Sequence, residues 1–139
     1  MTNVKQVIVM RKKFPIEEKG QIVNRKLRTG KMVAQGAHAS MAAVLSMVFK
    51  PTKFLWFIFL GKVLREWLGG RFTKVCASVE TEEELLALYQ QAKKSGLPCA
   101  LITDAGLTEF NGQPTNTCIA IGPAYSEEID PITGKLELL

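Results

Sequence analysis

Lys31, Gln35 and His38 stand four and three residues apart in the stretch GKMVAQGAHASM (30–41), and His38 is the only histidine of the chain. On a helix, residues at that spacing share one face. The result is a stripe made of an ammonium, an amide and an imidazole. Val33, Ala37 and Val44 face elsewhere and are apolar, while Ala34, Gly36, Ala39 and Ser40 are small. Small residues let another backbone or a ligand come close. Lys31 falls at the start of the helix, where free N–H groups and the helix dipole already attract anions. A lysine there makes a strong anion site. The plain alternative is a lysine that opens a helix and a histidine satisfied by a neighbour.

A second group lies far along the chain, in Asp104-Ala105-Gly106-Leu107-Thr108. A carboxylate at the end of a strand, followed by small residues and a hydroxyl, can orient a water or a sugar hydroxyl. The same residues also suit an Asx turn, in which Asp104 bonds its own following backbone. Thr117 opens the next apolar run, which closes at Ile121-Gly122-Pro123.

The elements that must bring these groups together follow from the pattern. Residues 4–10 end in an apolar β-branched run and read as a central strand. Residues 11–30 are basic and broken by Pro15, Gly20 and Gly30, which predicts a long loop or a short hairpin. Residues 31–49 are rich in Ala and Met and predict a helix, closed by Pro51. A second helical stretch is expected over 52–68, ended by Gly69-Gly70. Residues 72–79 read as a strand. Thr81-Glu82-Glu83-Glu84 is a capping-box start for a helix over 81–95, ended by Gly96. Residues 99–103 and 117–121 read as the last strands. This alternation implies an α/β layer fold with a mostly parallel sheet. Ligands of such sheets bind beyond the carboxyl ends of the strands, which singles out the loop before Lys31 and the turn at Asp104.

The chain has 139 residues, of which 47% are hydrophobic, enough for one core in a single domain over 1–139 and too apolar for disorder. Its formal charge is +5. Lys5, Arg11, Lys12, Lys13, Lys19, Arg25, Lys26, Arg28 and Lys31 all fall in the first quarter, while the far end leans acidic. A basic surface at one end permits binding of a polyanion and is equally a solvated face. Cys76, Cys99 and Cys118 sit in apolar runs and read as buried reduced thiols. With one histidine and no Cys-x-x-Cys, no bound metal and no other cofactor are expected. No signal peptide is expected. FLWFIFL (54–60) is far shorter than the ~20 residues of a spanning helix, so no membrane is expected. These points predict a cytoplasmic protein. The 54–60 run itself reads as a helix buried against the sheet, with a subunit interface or a partner groove as the other reading.

Taken together, GKMVAQGAHA, LITDAGLTE, TCIAIGP and DPITGKL, in that order, closely resemble the type 2 peptidyl-tRNA hydrolase family. The pattern of that family is roughly GK-x-A-A-Q-x-S-H-A, D-A-G-R-T, T-V-L-A-I-G-P and a D-x-x-T-G-x-L ending. The resemblance covers nearly the whole chain and includes Trp67, the strand around Lys74 and the 81–88 helix. It implies a single α/β domain with a mixed four-stranded sheet flanked by helices on both faces, often a homodimer. It also implies metal-independent hydrolysis of the ester joining a peptide to the 3′ end of tRNA, freeing the tRNA. Carried over by position, the catalytic residues would be Lys31, Asp104, Thr108 and Thr117. Gln35, His38 and Gly106 would contact substrate. Lys31 would bind phosphate or steady the oxyanion. Asp104, with Thr108, would position the attacking water. His38 would hold the network or touch the tRNA end.

The sequence also departs from the family pattern. Leu107 replaces an arginine, Ala37 replaces a serine, and RKKFPIEEKGQIVN (11–24) lengthens the link before Gly30-Lys31. The basic residues of that link, with Lys26 and Arg28 nearest the helix, would supply phosphate contacts in place of the arginine. The departures leave two other readings: a family member that binds tRNA or a protein partner without hydrolysis, and an interaction module on the same fold.

Overall fold

Strand β1 (Val4–Arg11) is buried along nearly its whole length, because helices cover both faces of the sheet at its centre. The computed structural model describes residues 3–139. Val7 and Val9 point to one face and pack with Leu85 and Ile129; Ile8 and Met10 point to the other and pack with Ala39 and Ala43. This two-residue alternation, apolar on both sides, is what a doubly covered strand requires. The helices are α1 (Thr29–Leu45) and α2 (Lys62–Gly69) on the Ile8 face, and α3 (Glu82–Lys94) and α4 (Ser126–Thr133) on the Val7 face.

The sheet has five strands in the order β7-β8-β1-β6-β9, where β6 is Thr73–Val79, β7 Cys99–Asp104, β8 Thr115–Tyr125 and β9 Glu137–Leu138. The α/β class and the helices on both faces are as expected, but the strand count is five rather than four. The extra strand is a two-residue edge on Ala77 and Ser78, reached after α4 turns the chain back. The sheet is also mixed, as the resemblance implies, and not mostly parallel. Only β1 and β6 run parallel, while β1–β8, β7–β8 and β6–β9 are antiparallel. The 105–114 link carries no helix, so β8 returns beside β7 in the opposite sense.

Residues 14–25 resolve the loop-or-hairpin alternative as a hairpin, β2 (Phe14–Glu18) with β3 (Gln21–Arg25). Lys19 and Gly20 both take positive φ at its turn, the geometry of a two-residue hairpin connection. Helix α1 ends at Leu45, short of Phe49, because Val48–Phe49 (β4) pairs with Phe57–Ile58 (β5). The helix expected over 52–68 is only α2, entered at Gly61. The aromatic run ahead of it has no helical period and instead projects from the surface. Phe54 is 92% and Phe59 85% exposed, so the buried-helix reading of this run is overturned. Cys118 is buried as expected, Cys99 half-buried, and Cys76 exposed, because no helix covers its side of β6.

Gln6 fixes α1 over the sheet. Fully buried on β1, its Nε2 donates to the carbonyls of Ser40 and Gly122 at 3.1 Å, and its Oε1 accepts from the Ser40 hydroxyl at 2.5 Å. A buried amide with both ends satisfied sets helix against strand more specifically than apolar contact alone.

Candidate functional site

The first turns of α1 lie beside the carboxyl end of β7. There the Lys31 ammonium donates to Asp104 Oδ2 at 3.0 Å and to Thr108 Oγ1 at 2.9 Å. Gln35, one turn on, aims its Nε2 at Asp104 Oδ1 at 3.4 Å. Its Oε1 accepts from the hydroxyl of Thr117, which is fully buried on β8, at 2.5 Å. The Gly106 N–H donates to Asp104 Oδ2 at 2.9 Å. Six of the sequence-predicted residues thus form one hydrogen-bonded cluster drawn from α1, β7, β8 and the turn between the strands. The two readings of Asp104 turn out to be one structure. The carboxylate closes an Asx turn through Gly106 and still faces Lys31.

Two buried neighbours hold Gln35 from below. Thr117 orients its side chain, and Cys118 donates from its thiol to the Gln35 carbonyl at 3.2 Å. Burial pushes the Cys118 thiol up to about 12, so it remains a protonated donor across the physiological range. Gly106 has φ +79°, and a Cβ there would run into the backbone carbonyl of Gln113. Only glycine lets the turn fold this tightly and present its N–H to Asp104.

Lys31 and Asp104 have side chains only 11% and 15% exposed. Burial alone would raise the Asp104 carboxyl, but the Lys31 ammonium and the Gly106 amide, with a smaller contribution from His38, hold it below the ordinary carboxylate range. Asp104 is therefore an anion that accepts hydrogen bonds and orients donors rather than a strong base. The ammonium has three N–H donors. Among the described residues Asp104 and Thr108 take two, which leaves the third for an incoming oxygen.

His38 is exposed on the same stripe, outside the hydrogen-bonded cluster and close enough for its charge to act on Asp104. Arg28 and Lys26 also stay outside it. They line a cleft of about 310 Å³ next to Thr108, where Arg28 Nε pairs with Glu109 at 2.5 Å. Sequence reasoning missed the aromatic wall of the site. Phe110 lies 5.5 Å from the Lys31 ammonium and 5.0 Å from Phe14, which in turn carries the Arg11 guanidinium at 4.7 Å. The nearest signal was the position of Phe110, two residues after Thr108. Nothing in the sequence pairs Phe14 with it.

Relatives follow the same chain end to end. The family described as peptidyl-tRNA hydrolase PTH2 matches residues 4–139. A peptidyl-tRNA hydrolase of Methanopyrus kandleri is 43% identical over 135 residues, 97% of each chain. One of Thermococcus onnurineus is 39% identical over 139 residues, all of both chains. One of Methanocaldococcus jannaschii is 43% identical over 110 residues, 79% of this chain and 87% of its own. On a match that spans the fold and every element of the site, this chain belongs to the PTH2 family of peptidyl-tRNA hydrolases.

Proposed function

We propose that this chain hydrolyses the ester between a peptidyl, or N-blocked aminoacyl, group and the 3′ end of tRNA, without a metal. The observation that carries this reading is the convergence of Lys31, Asp104 and Thr108, with Gln35 held by Thr117, from segments about 70 to 80 residues apart. Acyl transfer to water needs an oriented water and a donor for the oxyanion, and this cluster offers both.

In this reading Asp104 Oδ1, lightly engaged by Gln35, accepts a hydrogen from the attacking water. The water oxygen bonds the ester carbon, and the carbonyl electron pair moves onto oxygen. The third N–H of Lys31 meets that oxyanion. On collapse the ester C–O bond breaks, and the proton lost by the water passes through the network to the leaving ribose oxygen. One water is consumed, and a carboxylic acid and a free 3′-hydroxyl are formed. Thr108 fixes the ammonium, and Thr117 and Gln35 fix the carboxylate. Arg28, Lys26 and His38 supply contacts to the tRNA end around the site. The metal-free reading rests on the donor set: among the described residues no three His, Cys, Asp or Glu side chains are grouped as ligands. Three free cysteines suit a reducing compartment such as the cytoplasm.

Leu107, 85% exposed at the rim, favours a second reading, in which the site binds the tRNA end and has lost the chemistry. Release of a labelled N-acetyl-aminoacyl group from tRNA in EDTA, for wild type, Lys31→Ala and Asp104→Ala, separates the two. The hydrolase reading expects metal-free turnover that both substitutions lower by ~10²-fold or more. Absent turnover with salt-sensitive tRNA binding intact would establish the second.

A further inference from the structure

The segment that joins β4 to α2 stands out from the molecule as an arm. Its base is the two-residue pairing of Val48–Phe49 with Phe57–Ile58, where the Phe49 and Phe57 rings meet at 5.2 Å. Phe54 and Phe59 are almost wholly exposed, and Leu55, Trp56, Phe57 and Leu60 are half exposed. At ~150–250 Å² per aromatic side chain, the bare part of the four rings Phe54, Trp56, Phe57 and Phe59 comes to roughly 400–700 Å². With the two leucines it exceeds the few hundred Å² of apolar patch that a free surface usually carries.

The charge around these rings has one sign. Residues 19–65 contain no Asp or Glu. The Lys50 ammonium lies 4.1 Å over the Trp56 ring, and that of Lys53 5.9 Å from the Phe54 ring. A lysine so placed lays its methylenes on apolar surface and carries its charge to the polar side. At the foot of the arm, Lys62, Arg65 and Arg71 line an open cleft of about 860 Å³. Glu66 is the one acidic residue among its lining, and Lys62 pairs with it at 3.6 Å.

We infer that the arm is a membrane-surface anchor, which seats its rings and leucines in the headgroup layer of an anionic bilayer and sets Lys50, Lys53 and the Lys62–Arg65–Arg71 cluster on the lipid phosphates. Aromatic rings, Trp above all, favour that layer, where one side is apolar and the other wet. Clustered lysines and arginines are drawn to its negative charge. The run is too short to cross a bilayer, and lying on one requires no span. Water and phosphate oxygens in the headgroup layer satisfy the peptide groups of an irregular arm, which hydrocarbon does not. A nucleic acid would meet the same cations, but stacking on the rings requires unpaired bases, and it gains nothing from Leu55 and Leu60. An anionic bilayer uses the rings, the leucines and the cations together.

The anchor leaves the proposed site accessible. Lys31 stands at the start of the 17-residue helix α1, and the arm follows its other end, roughly 25 Å along the axis. A chain held by the arm can still present Asp104 and the basic cleft to a second ligand.

The test is cosedimentation of the full chain with vesicles of phosphatidylcholine, alone or mixed with phosphatidylserine. It includes an arm variant, Phe54→Ser/Phe59→Ser, and a charge variant, Lys50→Gln/Lys53→Gln. All four positions are exposed, and far-UV circular dichroism checks that each variant folds. Wild type is expected to pellet with the anionic vesicles and to be released as salt rises. The arm variant should bind them ~10²-fold more weakly or worse, and the charge variant about fivefold more weakly per lysine. Brominated lipid should quench Trp56. It should leave the Trp56→Phe variant unquenched, because the one remaining indole, Trp67, is buried. A wild type that stays in the supernatant with anionic vesicles overturns the inference, whether the arm then proves to lie against a second copy, another protein or tRNA. So does vesicle binding that the arm variant keeps, or Trp56 emission that brominated lipid leaves unchanged.

Discussion

Thr117 and Asp104 together hold Gln35 in one orientation. A hydroxyl whose hydrogen goes to Gln35 Oε1 at 2.5 Å leaves the amide NH₂ turned to Asp104. A hydroxyl can donate or accept but a carboxylate can only accept, so this orientation satisfies both partners, whereas a flipped amide would turn Oε1 against Asp104. A fully buried residue on β8 thereby helps anchor the amide that donates to a carboxylate on β7.

Thr117→Val keeps the shape and removes the donor. It leaves Gln35 Oε1 unpaired in a buried setting, at a cost of ~1–3 kcal/mol. Hydrolysis of N-acetyl-aminoacyl-tRNA is expected to fall roughly 10- to 100-fold in kcat, by the rule of ~1.4 kcal/mol per tenfold. Little change in tRNA affinity should accompany it, measured by single-turnover kinetics beside filter binding. Thermal unfolding should come a few degrees earlier.

The pairing of Lys31 with Asp104 predicts a pH signature. The Asp104 carboxyl lies below its ordinary value in the folded chain, so its pairing adds stability above its unfolded pKa of ~3.9. That stability is lost as pH falls through the lower, folded value. Carbon-detected NMR of the Asp104 carboxyl should titrate below the usual aspartate range in wild type and move up in Lys31→Met. The same substitution should lower kcat by ~10²–10³.

Gly106→Ala asks an L residue to hold φ +79° and places a Cβ against the Gln113 carbonyl. A strained conformation of this kind costs ~1–3 kcal/mol, and the clash adds to it. The turn should open, release the Gly106 N–H from Asp104 and cut activity sharply. Gly112→Ala is the control: its φ is also positive but the space around it is open. Chemical denaturation of the two variants should show the larger loss at Gly106.

Leu107 extends into solvent beside Thr108, so an arginine fits there without displacing anything. Leu107→Arg is expected to tighten tRNA binding and to steepen its salt dependence by about one phosphate, a slope change near −0.7 to −0.9 in log–log form. Arg28→Ala should reduce the slope by a similar amount. Fluorescence anisotropy of labelled tRNA over a salt series reads both.

The sequence by itself determined the local pieces. The β-branched run of β1, the capping box at Thr81–Glu84, the small-residue helix carrying Lys31, Gln35 and His38, and the Asp104 turn were all legible. They follow from local periodicity and from side chains bonding their own backbone, which need no distant partner. The resemblance added which of them belong together. The tertiary structure decided the rest. Strand sense around β8 depended on a link with no helix in it. The fifth strand depended on a two-residue pairing too short to leave a pattern. The aromatic wall of Phe14 and Phe110 joins residues that nothing in the chain order connects. The 54–60 run reads as core by hydropathy, yet it projects, because α2 supplies Leu64 and Trp67 to the core beside Val4 while Phe54 and Phe59 stay almost wholly exposed. Apolar composition tells that a segment favours burial; only the packed arrangement of the other elements decides whether its own chain provides the place.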